Sequence, residues 1–232
     1  MPLQSSSRAV ASCRDGRTWL SELRSQVPLS LRPTSGGLTL VASAFGPLGG
    51  DSTEVDIALE PGARLRIGSA GAQVAQPGAA DPVSRAVVRL HAAAGAELQW
   101  RPQPLVVGPG AEHRAGLHVT AEDGSRVLLA ETVVLAGGRY RSTWRVDYDD
   151  KPLLAADLDI GAGSPTGWDG PAGTGGARLV VTAMLAGGVV PAGPLQGGEV
   201  LQLAGPGVLL LWLGDDAVAA QRCLDTFVAT AC

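Results

Sequence analysis

The chain has 232 residues, 45% of them hydrophobic and 17% charged, enough to bury a full core in one large all-β domain or two small ones. A formal net charge of −4 leaves no basic face for phosphates, which argues against nucleic-acid binding. The opening residues contain no apolar signal core, and the longest apolar run, Val208 to Leu213, is far too short to span a bilayer, so no membrane association is expected.

Three cysteines, Cys13, Cys223 and Cys232, are an odd number set far apart, a poor basis for a disulfide framework and a better fit to a reducing cytoplasm. The 32 glycines and 16 prolines punctuate the chain throughout, which favours many short strands over long helices. Residues 1–9 are expected to fray. Ala9 to Leu23 reads as either an edge strand or a short helix, Pro28 to Pro33 as extended, and Leu38 to Phe45 as a strand.

The stretch from Gly46 to Ala75 is the most informative. Gly46-Pro47 and then Gly49-Gly50-Asp51 form tight turns; Val55, Ile57 and Leu59 then alternate with Glu54, Asp56 and Glu60, the period of a half-buried strand. Pro61-Gly62 reverses the chain, and Leu65 and Ile67 alternate with Arg64 and Arg66. Paired as a hairpin, these two strands would set acids opposite arginines on the wet face.

Further alternating runs follow over Val83 to Ala92, Ala96 to Trp100, Leu117 to Thr120, Val127 to Val134, Arg139 to Asp147 and Leu153 to Ile160, with Asp123-Gly124 as a hairpin turn. Pro61-Gly62-Ala63-Arg64-Leu65, Ala94-Gly95-Ala96-Glu97-Leu98 and Asp123-Gly124-Ser125-Arg126-Val127 repeat one pattern at intervals of 33 and 29 residues. The repeat suits a sheet that winds on itself and suits a long sandwich nearly as well. Residues 161–176 read as a Gly/Pro-rich loop, followed by strands over Ala177 to Leu185 and Val208 to Leu213. Asp215 or Asp216 can then cap a helix over residues 215–232, whose Ala220, Leu224, Phe227, Val228 and Ala231 fall on one face. The expected fold is mainly β, a single domain over 1–232 of wound or sandwich-like architecture with a C-terminal amphipathic helix.

Catalytic signatures are missing. The single lysine, Lys151, precedes a proline, so there is no phosphate-binding loop; there is no Gly-x-Ser-x-Gly elbow and no Cys-x-x-Cys. His113 and His118 are five apart and point to opposite faces of one strand, so they cannot share a metal. Asp147 with Asp149, and Asp157 with Asp159, could each present two carboxylates on one face to a divalent cation, although a solvated strand face is the simpler reading. Glu131, inside the apolar run VLLAETVV, requires either a partner such as Arg139, Arg141 or Arg145, or an aqueous cavity. A chain with a full core and no catalytic constellation is expected to be a scaffold or binding partner and not an enzyme.

Gly46-Pro47-Leu48-Gly49-Gly50-Asp51, the turn at Pro61-Gly62-Ala63 and the segment Ser69-Ala70-Gly71-Ala72-Gln73-Val74 together resemble the signature of UreD-type (UreH) urease accessory proteins. Leu98-Gln99-Trp100-Arg101-Pro102 resembles that family's Leu-Glu-Trp-Leu-Pro stretch, and Glu131 followed by Gly138-Arg139 its Glu…Gly-Arg element. The chain departs from the family at Ser69 to Ala75, where most members carry Thr-Thr-Gln-Ala-Ala-Thr-Lys. The resemblance implies a cytoplasmic, non-enzymatic scaffold that works with a UreF-type accessory protein, a UreG-type GTPase and the urease apoprotein, with nickel in transit and not stably bound. It marks Gly49, Gly50, Asp51, Gln73, Trp100, Pro102, Gly138 and Arg139 as structural or partner-contacting positions. It also suggests a polar passage for nickel, for which Glu131, Asp157 and Asp159 are the candidate lining residues. The alternative is a β-sandwich recognition module with no role at a metal centre.

Overall fold

A computed structural model describes residues 2–231; Met1 and Cys232 lie outside it. The first half of the chain forms β1 (Gln4–Arg14), β2 (Arg17–Arg24), β3 (Leu29–Thr34), β4 (Gly37–Ala42), β5 (Ser52–Leu59), β6 (Arg64–Ser69), β7 (Gln73–Ala75), β8 (Val83–Ala92), β9 (Glu97–Arg101) and β10 (Leu105–Val107). The second half forms β11 (Glu112–Ala121), β12 (Arg126–Leu135), β13 (Arg139–Tyr148), β14 (Lys151–Gly161), β15 (Leu179–Ala186), β16 (Gly193–Leu195), β17 (Gly198–Gln202), β18 (Gly207–Gly214) and α1 (Ala217–Ala231). The mainly β expectation with one C-terminal helix holds.

Two sheets face each other. The first has the order β14-β13-β11-β8-β5-β1-β2, and its five inner strands run parallel. The second runs β16-β17-β18-β15-β12-β9-β6-β4-β3, with β7 and β10 branching from β12 as a short third side. The chain therefore winds: β5, β8 and β11 lie in the first sheet, β6, β9 and β12 follow them in the second, and β7 and β10 close two of the turns. Parallel neighbours come from successive turns of this winding.

Glycine makes the winding possible. Gly62, Gly95 and Gly124 have φ of 70°, 68° and 72°, each at the third position of a four-residue turn closed by Ala63 N–H to Glu60 O, Ala96 N–H to Ala93 O and Ser125 N–H to Glu122 O. A negative φ before a positive one is the type II turn, which Pro61-Gly62 suits directly. The corners stack on one another through Glu97 N–H to Ala63 O (2.9 Å) and Arg126 N–H to Ala96 O (2.8 Å). The winding reading of the repeat is thus the correct one, and two local expectations are overturned. Pro61-Gly62 and Asp123-Gly124 are corners between sheets and not hairpin turns, so β5 and β6 do not pair. The acids of β5 instead meet Arg89 on β8 (Glu54 3.1 Å, Asp56 3.6 Å), and Arg64 on β6 meets Glu97 on β9 (3.2 Å).

The N-terminal expectation also fails. From Gln4 onward the chain is a strand parallel to β5, in register from Gln4 opposite Ser52 to Ala11 opposite Leu59. Its inward residues Ser5, Ser7, Ala9 and Ala11 are small and buried, a pattern that hydropathy alone does not flag. Asp51 holds the entry to this strand: Oδ1 accepts Leu3 N–H (2.8 Å) and Oδ2 accepts Leu48 N–H (3.0 Å). Gly49 has no room for a side chain because its Cα faces the backbones of Gly78 and Asp81.

The main core lies between the sheets and includes Ile57, Leu90, Leu98, Val119, Leu129 and Trp144. A second cluster packs α1 on the outer face of the second sheet through Cys223, Leu224, Phe227 and Val228 against Val181, Ala183 and Leu210. Because β15 contributes to both clusters, its sequence LVVTAMLA is apolar almost without alternation. Asp216 caps α1, its Oδ1 accepting Val218 N–H (2.8 Å) and Ala219 N–H (3.1 Å). Residues 162–176 are a loop, close to the expected span, with Gly161 closing β14, whereas the hairpin of β16 and β17, with its three- and five-residue strands, is too short to register in the sequence pattern.

The Asp51 latch makes a direct prediction. Asp51→Ala leaves two part-buried N–H groups without their acceptor, costing roughly 1–2 kcal/mol in a denaturant melt. Amide exchange over residues 3–7 accelerates, and Asp51→Asn, which keeps one acceptor, recovers part of both effects.

Candidate functional site: a carboxylate facing the inter-sheet cavity

On β12 the residues facing the inter-sheet space are Val127, Leu129, Glu131 and Val133, so Glu131 is the polar member of an otherwise apolar row. It faces a cavity of about 110 Å³ whose walls include Gln73, Trp100, Pro102, His113, Tyr140 and Trp144. None of the three candidate arginines meets it. Arg139, Arg141 and Arg145 alternate with Tyr140, Ser142 and Trp144 along β13 and therefore lie on the outer face of the first sheet. Of the two readings left open for Glu131, the cavity is the one found. Glu131 is only half-buried, its accessible surface facing this cavity, which is partly open to solvent.

The surroundings of Glu131 set its charge. Burial raises its pKa from 4.5 to about 7, and hydrogen bonds from the Tyr140 hydroxyl and the Trp144 indole only partly offset that. Tyr140 is itself raised well above 10, first by burial and then by the nearby carboxylate. Its ring stacks on His113 at a centroid distance of 6.1 Å and an interplanar angle of 8°. The Nδ1 of His113 shares a hydrogen bond of 2.9 Å with the Ser84 hydroxyl, and burial lowers its pKa from 6.5 to about 4. At neutral pH, then, His113 is uncharged and Glu131 is poised near half-ionisation, linked through Tyr140.

This group comes from β8, β11, β12 and β13, strands whose residues meet only once the winding register is known. His113 and His118 do sit on one strand with opposite exposure, His113 buried and His118 exposed. A smaller pocket of about 60 Å³ shares Leu29, Thr53, Gln73, Ala86 and His113 with the cavity and reaches the surface at Phe45, which is 92% exposed, and Pro47.

The remaining candidates have other surroundings. Asp157 accepts two hydrogen bonds from Arg145 (2.9 and 3.0 Å), and Asp159 is bound by Arg139 in a bidentate pair (2.8 and 2.7 Å) and also by Ser164 (2.8 Å). These arginines hold both carboxyls below the usual range. Both aspartates project from the outer face of the first sheet, opposite the face that Glu131 looks onto. Asp149 occupies the β13–β14 turn at φ 52° and does not share a strand face with Asp147. Gly138 is a close-approach position, where a side chain would collide with Ala111 O and Val107. Gly49, Gly50 and Asp51 form the N-terminal latch, whereas Gln73, Trp100 and Pro102 line the cavity. Among the described residues no three His, Cys, Asp or Glu side chains gather in a metal-binding group, and no helix is long and apolar enough to cross a membrane.

Comparison with known proteins gives the family. The UreD urease accessory protein family matches residues 4–232. The chain belongs to the UreD family. It is 38% identical to the urease accessory protein UreD of Streptomyces coelicolor over 246 aligned residues, covering 98% of this chain and 96% of that protein. The UreD of Streptomyces avermitilis is 36% identical over 91% of each chain, and that of a Parafrankia species 34% identical over 91% of this chain and 82% of its own length. The inter-sheet cavity and the Asp51 latch are therefore features of a UreD-family chain.

The two titrating groups pull stability in opposite directions with pH. Glu131, with its raised pKa, makes the fold lose stability as pH rises from about 4.5 to about 7; His113, with its lowered pKa, makes it gain stability from about 4 to about 6.5. The effects nearly cancel in the native protein. Glu131→Gln leaves only the gain on the His113 side, and His113→Asn leaves only the loss on the Glu131 side. Each slope amounts to roughly 3 kcal/mol across its window and is measured by urea melts at pH 4, 5, 6, 7 and 8.

Proposed function

We propose that this UreD-family chain is a non-enzymatic, cytoplasmic scaffold in urease maturation, which assists nickel insertion into the urease apoprotein together with a UreF-type accessory protein and a UreG-type GTPase. The observation that carries this reading is Glu131: an ionisable carboxyl facing a cavity between the sheets, with no arginine partner, inside a chain that matches the UreD family over residues 4–232. A buried acid with no arginine partner is costly to a fold and calls for a use.

In this reading the cavity between the sheets is a way station for nickel, which is cargo and not a resident cofactor. Arriving Ni²⁺ displaces the proton that Glu131 holds with a pKa of about 7, and the neutral imidazole of His113 offers the nitrogen donor that nickel favours. The carboxylate and the imidazole sit on either side of Tyr140 and each offers a single donor along the cavity wall, which suits weak binding in transit. Gln73 and His113, common to the cavity and the pocket below Phe45, mark the side from which the ion is exchanged. Asp157 and Asp159, neutralised by arginines on the opposite face, belong to the frame around this route. Because the chain carries no phosphate-binding loop, GTP chemistry falls to the partner.

Glu131→Gln tests the reading because it keeps shape and hydrogen bonding while removing the charge. In cells expressing urease with its accessory proteins at limiting nickel, urease activity falls at least fivefold, while the variant still co-purifies with the apoprotein complex. Wild-type activation by the variant removes Glu131 from the route.

A further inference from the structure

Most acids on the outer face of the first sheet are taken by arginines: Glu54 and Asp56 by Arg89, Glu112 by Arg114, Asp157 by Arg145 and Asp159 by Arg139. Glu122 is different. It follows β11 at the corner, and among the described residues its only ion-pair partner is the imidazole of His91 on β8. Leu90 and Ala92 belong to the main core, so His91 projects to the outer face, beside Thr120 of β11 in the parallel register. The side chains of His91 and Glu122 remain 45% and 52% exposed.

The two groups are held apart. His91 Nε2 and Glu122 Oε1 stand 3.7 Å from each other, beyond hydrogen-bond reach. Each is fixed instead at its other end: His91 Nδ1 shares a hydrogen bond of 2.9 Å with the Thr120 hydroxyl, and Glu122 Oε2 accepts Ala94 N–H at 2.9 Å. Ala94 lies in the preceding glycine corner, so the carboxylate is anchored to backbone. Metal ligands are built in this way, with the second nitrogen or oxygen hydrogen-bonded and the donor atom left free. With metal bonds of about 2.1 Å, two donors lie about 3.0 Å apart around an octahedral cation and about 3.4 Å apart around a tetrahedral one. Closing the gap from 3.7 Å therefore takes less than one ångström of side-chain movement. An imidazole nitrogen beside a carboxylate oxygen favours borderline cations such as Zn²⁺ and Ni²⁺ over Mg²⁺ and Ca²⁺, which prefer oxygen alone.

We propose that His91 Nε2 and Glu122 Oε1 form a solvent-facing binding site for a borderline divalent transition cation, with Thr120 and the Ala94 amide as its positioning groups. Nδ1–H donates to Thr120 Oγ1, which leaves the Nε2 lone pair directed at the cation, and water completes the coordination on the exposed side. Two protein donors hold the ion loosely enough to exchange. The site lies on the outer face of the first sheet and shares no residue with the inter-sheet cavity, so it stands independently of the nickel route.

The test follows the full chain by heteronuclear NMR during titration with Zn²⁺ alone. The His91 ring nitrogens and the Ala94 amide shift together and saturate at one dissociation constant, because coordination at Glu122 reaches Ala94 through the carboxylate. His91→Asn and Glu122→Gln each weaken this binding at least tenfold, read at whichever of the two signals remains. Glu122→Gln keeps an oxygen for the Ala94 amide and melts like wild type, so its loss of affinity is a loss of the ligand and not of the corner. Thr120→Val weakens binding at least threefold, and Mg²⁺ at the same concentrations moves neither signal. The proposal is overturned by the absence of a saturable shift at His91, by shifts confined to the surroundings of His113 and Glu131, by wild-type affinity in Glu122→Gln, or by equal shifts with Mg²⁺. Wild-type affinity in Thr120→Val overturns the positioning role given to that hydroxyl.

Discussion

The stacked type II corners are the constraint on which the structure depends. Each of Gly62, Gly95 and Gly124 takes a backbone conformation that a side chain disfavours, and each turns the chain from one sheet into the other at the same height relative to the turn before it. Parallel register across β5, β8 and β11, and across β6, β9 and β12, is the result. Because strand faces alternate with period two, that register decides which side chains meet between the sheets. His113, Tyr140 and Glu131 belong to three different strands, and the corner geometry brings them together.

The consequence is an interior of mixed character. Most of the space between the sheets is filled by aliphatic and aromatic residues, but one end holds a carboxyl, an imidazole, a phenol and a serine hydroxyl around a cavity. The outer face of the first sheet handles charge differently: there, arginines and acids pair across neighbouring strands in contact with water, and contribute little each. The same residue types thus serve surface pairing on one side of β13 and a poised ionisation on the other.

Much of this was legible in the sequence. Alternation located most strands, the Asp216 cap and its apolar stripe located the helix, and the glycine repeat pointed to winding. What single-strand periodicity cannot provide is the identity of each strand's neighbour. Pro61-Gly62 is equally good chemistry for a hairpin or for a corner, so β5 and β6 read as partners until the sheets are known. Glu131 was recognisable as an anomaly from its apolar neighbours, but choosing between an arginine and a cavity required knowing that Arg139, Arg141 and Arg145 share one face and Glu131 looks onto the other. The first half of β1 reads as frayed because serine and alanine fill its inward positions, whereas for Ala9 to Leu23 the strand alternative is the one found, as β1 and β2.

The unequal spacing of the three glycine corners also has a physical origin. Val83 to Gly95 and Glu112 to Gly124 are the same length; the difference falls beside the short third side, chiefly where residues 76–82 join β7 to β8 but only 108–111 join β10 to β11, and by one further residue where 69–72 lead into β7 but only 102–104 into β10. An added or lost residue within a strand would turn the rest of that strand inside out and drag its apolar row to the solvent. Differences in length between successive turns are thereby taken up on one flank of the molecule, the flank that the connecting bends share, while the two broad faces stay locked in phase.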